Sequence, residues 1–194
     1  RDHLQHWHQG VDGKTGEMRR LLRDYVDVLF LTGMRQGTES MNLRWKHIEW
    51  HTDAGRRYLR IWVSGKTGPR WLIAKHECVA ALQRLHRHQP DIAKLDFETL
   101  IASRSEQLVF RFANGEQPYE FNHVFRRLLQ ELGIEKSPAG TNRTLYSLRH
   151  TYATLELLAG TDIHTLAKQM GTSVVMLERH YSKLTATLAA EQLA

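Results

Sequence analysis

Four side chains of this 194-residue chain suit one reaction, displacement at the phosphorus of a phosphodiester. Arg35 closes the run Thr32-Gly33-Met34-Arg35, and Lys66 lies in Gly65-Lys66-Thr67-Gly68. Arg149 lies in Leu145-Tyr146-Ser147-Leu148-Arg149-His150, and Tyr181 closes Glu178-Arg179-His180-Tyr181. In-line displacement puts negative charge on the non-bridging oxygens of a five-coordinate phosphorus, and guanidinium forks match that geometry with paired hydrogen bonds. A lysine beside the leaving oxygen can act as general acid, because desolvation lowers an ammonium pKa toward neutrality. A phenol titrates at about 10, so it attacks only where cations favour the phenolate or a base takes its proton. Taken singly, each arginine is more often a surface or salt-bridge residue, and composition alone favours a solvated turn lysine at Lys66. The pattern gives them weight.

The elements that must hold these groups can be read from periodicity. Leu21, Leu22, Tyr25, Val26, Val28 and Leu29 recur at helical spacing over 17–31, and Gly33 stops that helix just before Arg35. A short helix is predicted over 38–45. The period then changes: β-prone runs at 48–51, 58–63 and 71–73, separated by Gly-containing turns, predict an antiparallel meander with Lys66 at a hairpin tip. Helices are predicted over 75–88, which Pro90 stops, and over 95–102, 121–132 and 144–159, with a short extended piece at 108–110. The last of these helices sets Arg149 among apolar residues (Leu145, Leu148, Ala153, Leu155), so the charge must face solvent or serve a buried anion. Helices over 161–170, 173–181 and 186–193 complete the chain, with Tyr181 at the end of its helix. Met170 and Leu177 are the expected packing face there. The fold class is α+β, mainly helical: a linker-like extension over 1–16, one domain over 17–183 with a small three-stranded antiparallel sheet, and a tail helix over 184–194.

Lys and Arg total 27 against 21 acids, a formal charge of +6. That surplus favours an anionic partner, nucleic acid above all, although solvated charges alone also produce it. The single Cys78 cannot form an internal disulfide and fits a reducing compartment. No apolar run is long enough to span a membrane, and no signal-peptide pattern is present. Arg1 is not an initiator residue, so a fragment or processed chain is expected. His3, His6 and His8 lack a Cys or acidic ligand beside them and read as a polar terminus rather than a metal site.

Four motifs in this order resemble those of the tyrosine recombinases (phage-type integrases), specifically their catalytic domain. Thr32 to Arg35, with Glu39 and Leu43-Arg44-Trp45 behind it, resembles the family's first-arginine box, and Lys66 its hairpin lysine. Ser147-Leu148-Arg149-His150 resembles the second-arginine box, and Met170-Gly171 followed by Tyr181 the last box with its nucleophile. The resemblance implies that Arg35 and Arg149 bind the scissile phosphate, Tyr181 attacks it and Lys66 protonates the 5′ oxygen. It implies a 3′-phosphotyrosyl intermediate needing neither ATP nor metal, a double-stranded DNA substrate, and four protomers on two duplexes. It also implies a tail that docks on a neighbouring protomer, DNA-binding regions beyond this chain, and the cytoplasm of a bacterial host or phage-infected cell.

The chain departs from the family pattern in three places. Tyr146 stands where the second box has histidine, Thr172 stands where the last box has His or Trp, and one extra residue separates Arg35 from Glu39. Tyr146 and Thr172 can donate hydrogen bonds to a phosphate, which leaves the proton acceptor open. His150 and His180 are possible substitutes, but each lies one position from a key residue on a helix and is expected to turn about 100° away from it. Arg56, Arg57, Arg60, Arg126, Arg127 and Arg143 are candidate contacts to the DNA backbone. Two other readings stay open. Residues 161–181 have the outline of a helix-turn-helix, which suits a DNA-binding regulator without chemistry. A protein of the same fold with impaired cleavage would also fit Tyr146 and Thr172.

Overall fold

Helix α7 (Leu145–Leu158) is the element on which two apolar clusters meet. The computed structural model describes the backbone of residues 2–188 and the side chains of 3–181. Leu145 and Leu148 of α7 join the larger cluster, whereas Tyr152, Ala153 and Leu157 join the smaller one. Arg149 lies between these two groups on the same helix.

The larger cluster is organised around α2 (Gly13–Thr32), whose Leu21, Leu22, Tyr25, Val28 and Leu29 are buried. Two acids are buried on that helix, Asp24 and Asp27, and each needs a cation. Arg84 of α4 (Cys78–Arg87) supplies it, reaching Asp24 at 2.6 Å and Asp27 at 2.7 Å. Gly33 ends α2 in the left-handed conformation (φ 66°), returning its N–H to Leu29 O. A Cβ at Gly33 would lie 2.3 Å from the Tyr152 ring, so the helix end and α7 approach closely only because glycine stands there.

After α3 (Thr38–Met41) and a single 3-10 turn (Trp45–His47) comes the predicted meander. Its strands are β1 (Ile48–Asp53), β2 (Arg56–Gly65) and β3 (Gly68–Ile73), antiparallel in sequence order. Ala54 and Gly55 both have positive φ, the turn geometry that suits the strand twist of a two-residue hairpin. Alternation sends Leu59, Ile61, Val63 and Leu72 to the core, while Trp62 and Trp71 pair across strands on the other face. Helices α5 (Phe97–Ser103) and α6 (Asn122–Glu131) complete the larger cluster. The smaller cluster is built by α7, α8 (Ile163–Met170) and α9 (Val174–Leu188).

Three expectations are corrected. The opening residues are not a linker: α1 (Asp2–His6) buries Leu4, Trp7 is buried beside it, and the Trp7 indole donates to Glu131 at 2.5 Å. Arg19 stacks over the Trp7 ring at 4.1 Å, which fastens the extension to α2. The helix predicted over 38–45 is two shorter pieces, interrupted where Leu43 enters the core. Tyr181 does not end its helix, since α9 runs on to Leu188. Residues 189–194, and with them docking of the tail on a neighbouring protomer, lie outside the described residues.

Gly33→Ala should lose about 2–4 kcal/mol, from left-handed strain plus overpacking against Tyr152. Gly140→Ala, at φ 78° with open space around it, should lose only about 1–2 kcal/mol. Urea unfolding of both variants checks the difference.

Candidate phosphate-binding and nucleophile site

Arg149 is 4 % exposed, and the carbonyls at two helix ends receive its protons. Its Nη1 donates to Gly33 O at the end of α2 and its Nη2 to Met170 O at the end of α8, both at 2.5 Å. Helix C-termini carry unsatisfied carbonyls and partial negative charge, so a guanidinium between two of them is well placed. Burial, then the nearby charge of Arg35, still lowers Arg149 to about 10. It remains cationic at neutral pH.

Arg35 leaves the chain just after the Gly33 stop and donates to Gly171 O, the next carbonyl along from the one Arg149 uses. Arg70 Nε donates to Gln169 O at 3.1 Å. Three successive carbonyls, 169 to 171, are therefore taken by Arg70, Arg149 and Arg35 in turn. Gly171 is required twice over. Its φ is 62°, and a Cβ there would lie 2.6 Å from the Arg70 guanidinium.

Glu39 is the anion that lets Arg35 and Arg70 sit together. It accepts from Arg35 N at 2.9 Å and Nη1 at 2.7 Å, and from Arg70 at 2.8 and 2.9 Å. Burial alone would raise its pKa, but the hydrogen bonds from Arg70 and Arg35 overcome this and hold it at about 2. Between Arg35 and Glu39 the chain turns at Gly37, whose φ of 87° and ψ of −124° are open to glycine. Gly65 of β2 faces the same carboxylate: a Cβ would lie 2.8 Å from Glu39 Cγ, so the hairpin base lies directly on it.

Lys66 and Thr67 form the two-residue tip between β2 and β3, and Lys66 is exposed. Thr67 Oγ1 accepts from Arg35 Nη1 at 2.9 Å and donates to Gly171 O at 3.1 Å, which ties the loop to the cluster.

Tyr181 lies on α9, half-buried against the smaller apolar cluster. Its hydroxyl is 2.7 Å from His150 Nδ1 and also faces His150 O at 3.5 Å. Burial, then Tyr146, pushes the Tyr181 phenol up to about 12, while Arg149 pulls it down. Burial, then His180 and Arg149, lowers His150 below its ordinary value. In the tautomer protonated on Nε2, a neutral His150 ring can accept from the phenol through Nδ1. His150 was expected to turn about 100° away from Arg149. It does diverge from Arg149 on α7, but α9 packs there and brings Tyr181 to it. Tyr146 is 44 % exposed and meets the His150 ring edge-on at 5.1 Å, and His180 does so at 5.6 Å. The Thr172 N–H closes the end of α8 onto Ala167 O.

The structure thus brings Arg35, Arg149, Glu39, Tyr146, His150, Thr172 and Tyr181 to one region, with Lys66 exposed at the hairpin tip beside Thr67. The candidate backbone contacts stand apart. Arg57 pairs with Glu98 at 2.8 Å and stacks on Trp50, and Arg143 donates to Ile134 O and Lys136 O. Arg56 is exposed at the start of β2, opposite Asp53. Arg60, Arg126 and Arg127 pair with Glu49, Glu135 and Glu131. Sequence reasoning missed Arg70, Thr67 and Gln169. Arg70 had a signal: it alternates with Leu72 on the inward face of β3, where a charge needs a partner.

The sequence model of the phage integrase family matches residues 8–187. No curated protein matches the chain. Among solved structures, the XerH site-specific recombinase bound to difH substrate in a pre-cleavage complex aligns with TM-score 0.62 at 18% identity, over 93% of this chain and 47% of that one. XerA recombinase aligns with TM-score 0.60 at 23% identity, over 95% and 64%. The Tn1549 transposon integrase in complex with transposon right end DNA aligns with TM-score 0.59 at 19% identity, over 99% and 63%. The chain therefore spans about half to two-thirds of the length of these structural neighbours, and at such identities the likeness is one of fold.

The Glu39 carboxyl is lowered from 4.5 to about 2, so its stabilisation is complete above its ordinary value and is lost as pH falls toward about 2. At about 1.4 kcal/mol per unit this amounts to about 3 kcal/mol. Glu39→Gln should lose a comparable amount at neutral pH and flatten the decline of stability between about pH 5 and pH 2. Denaturant unfolding across that range is the measurement.

Proposed function

The chain belongs to the phage integrase family, and from that premise we propose that it is a site-specific DNA strand-transfer enzyme acting through a 3′-phosphotyrosyl link. Arg35 and Arg149 bind the scissile phosphate, and Tyr181 attacks phosphorus. The P–O5′ bond breaks, and Lys66 gives its proton to the departing oxygen. The 5′ hydroxyl of a partner strand reverses the step, and the bond energy is kept in the tyrosyl ester. Four protomers on two duplexes would complete an exchange, which suits integration or excision of a DNA element.

One observation carries this reading: Arg149 and Arg35 occupy adjacent carbonyls at the end of α8, and the phenol on the following helix is near enough for Arg149 to lower its pKa. Cations so held need little reorganisation to receive a phosphate, the source of much catalytic stabilisation in such sites. Lys66 supports it too, since Thr67 fastens the neighbouring loop position to Arg35. A second reading, the same fold with slow cleavage, draws on the 4 % exposure of Arg149 and on the unactivated Tyr181 phenol.

Nicked duplexes tiled from the DNA flanking its gene separate the two. Strand transfer predicts an SDS-stable protein–DNA adduct that Tyr181→Phe abolishes while gel-shift binding persists. An adduct from the Phe variant would dismiss Tyr181 as the nucleophile. Lys66→Ala should slow cleavage by about 10²-fold or more and regain speed on a 5′-thio leaving group, which needs no proton. Treatment with EDTA should leave the adduct yield unchanged.

A further inference from the structure

A phenol that attacks phosphorus must lose a proton, and at the two places where the family pattern carries a histidine or tryptophan this chain has Tyr146 and Thr172. We propose that His150 is the catalytic residue that accepts the Tyr181 proton, through Nδ1, as Oη bonds to phosphorus; this rests on the strand-transfer reading above. The proton passes from Oη to Nδ1, the P–Oη bond forms, and the P–O5′ bond breaks with protonation of the 5′ oxygen by Lys66. On religation the imidazolium returns its proton to Tyr181.

The geometry is direct. Oη and Nδ1 are 2.7 Å apart, within reach for transfer without an intervening water. His150 follows Arg149 on α7 and so faces about 100° around the helix from it. Base and phosphate ligand therefore adjoin without competing for the same space. Tyr146 from α7 and His180 from α9 meet the His150 ring edge-on, at 5.1 and 5.6 Å, and the third ring beside it is Tyr181. The charges around His150 come from His180 and Arg149, and both favour the neutral imidazole that a base must be. Burial meanwhile keeps the proton on the phenol until it is taken. His180 is exposed, with its ring 6.3 Å from that of Tyr181, and is the less suited acceptor.

Two experiments test the assignment on the whole chain. In the first, adduct formation is followed on the nicked flanking duplexes from pH 5 to 9. The wild-type rate should rise through the His150 titration and then level off. His150→Gln, which can still accept a hydrogen bond, should be slower by about 10²-fold or more at pH 7 and keep rising with pH. Added imidazole should restore part of the rate to His150→Gly. A Gln variant with wild-type rate and profile overturns the assignment alone, whereas a wild type forming no adduct overturns the strand-transfer reading and the assignment with it. The second uses no DNA: in a histidine NMR titration, Tyr181→Phe should raise the His150 midpoint, because it removes the donor that favours the neutral ring. An unmoved midpoint overturns the pairing even if the variants fold poorly on DNA.

Discussion

The C-terminal end of α8 is the point from which the site is hung. Every helix end leaves carbonyls without intrahelical partners, and a common solution is a glycine that turns the chain back on itself. Here Gly171 does this in part, but Gln169, Met170 and Gly171 also present their oxygens to Arg70, Arg149 and Arg35. Like-charged guanidiniums repel one another, and burial opposes each of them. Three carbonyl dipoles and one carboxylate, Glu39, counter both effects. The same bonds that finish a helix gather the cations that a phosphate needs.

This arrangement divides labour between the arginines. Arg70 is a support: its hydrogen bonds go to Glu39 and Gln169 O, and it passes beneath Gly171. Arg149 is the seam between two apolar clusters and joins the ends of α2 and α8. Arg35 is the most open, with a side chain 23% exposed, and it also reaches the hairpin through Thr67. Gln169 adds a neutral tie, donating to Ile73 O at 2.7 Å and accepting from Ile73 N at 2.9 Å. The edge of β3 is thereby joined to α8, which fixes hairpin and helix to each other.

Much of this was legible in the chain, because local signals named the residues. Gly33 announced the end of α2 just before Arg35, and the turn residues around Lys66 announced a hairpin tip. An arginine inside an apolar helix announced that Arg149 had something to serve. The partners were not legible, because backbone carbonyls leave no mark in a sequence: nothing distinguishes Gly33 O or Met170 O from any other oxygen. The His150–Tyr181 contact was missed for a related reason. Angular separation along one helix says where a side chain leaves that helix, not which neighbouring helix it meets. The reach of α9 past Tyr181 and the docking of Trp7 were missed because polar sequence can still follow a packed path when a few apolar residues anchor it.

The residues that close the Arg35–Gly171 and Arg149–Gly33 contacts stand 136 and 116 positions apart. Contacts so distant in sequence must wait for large loops to close, and they form late. A chain emerging from the ribosome holds Arg35 long before α8 exists to meet it. Until α8 and α9 have been made, the clustered cations have no scaffold and the phenol is not yet beside its imidazole neighbour. Assembly of the centre thus waits on translation of α8 and α9, whose arrival supplies the carbonyls and the phenol that the earlier residues lack.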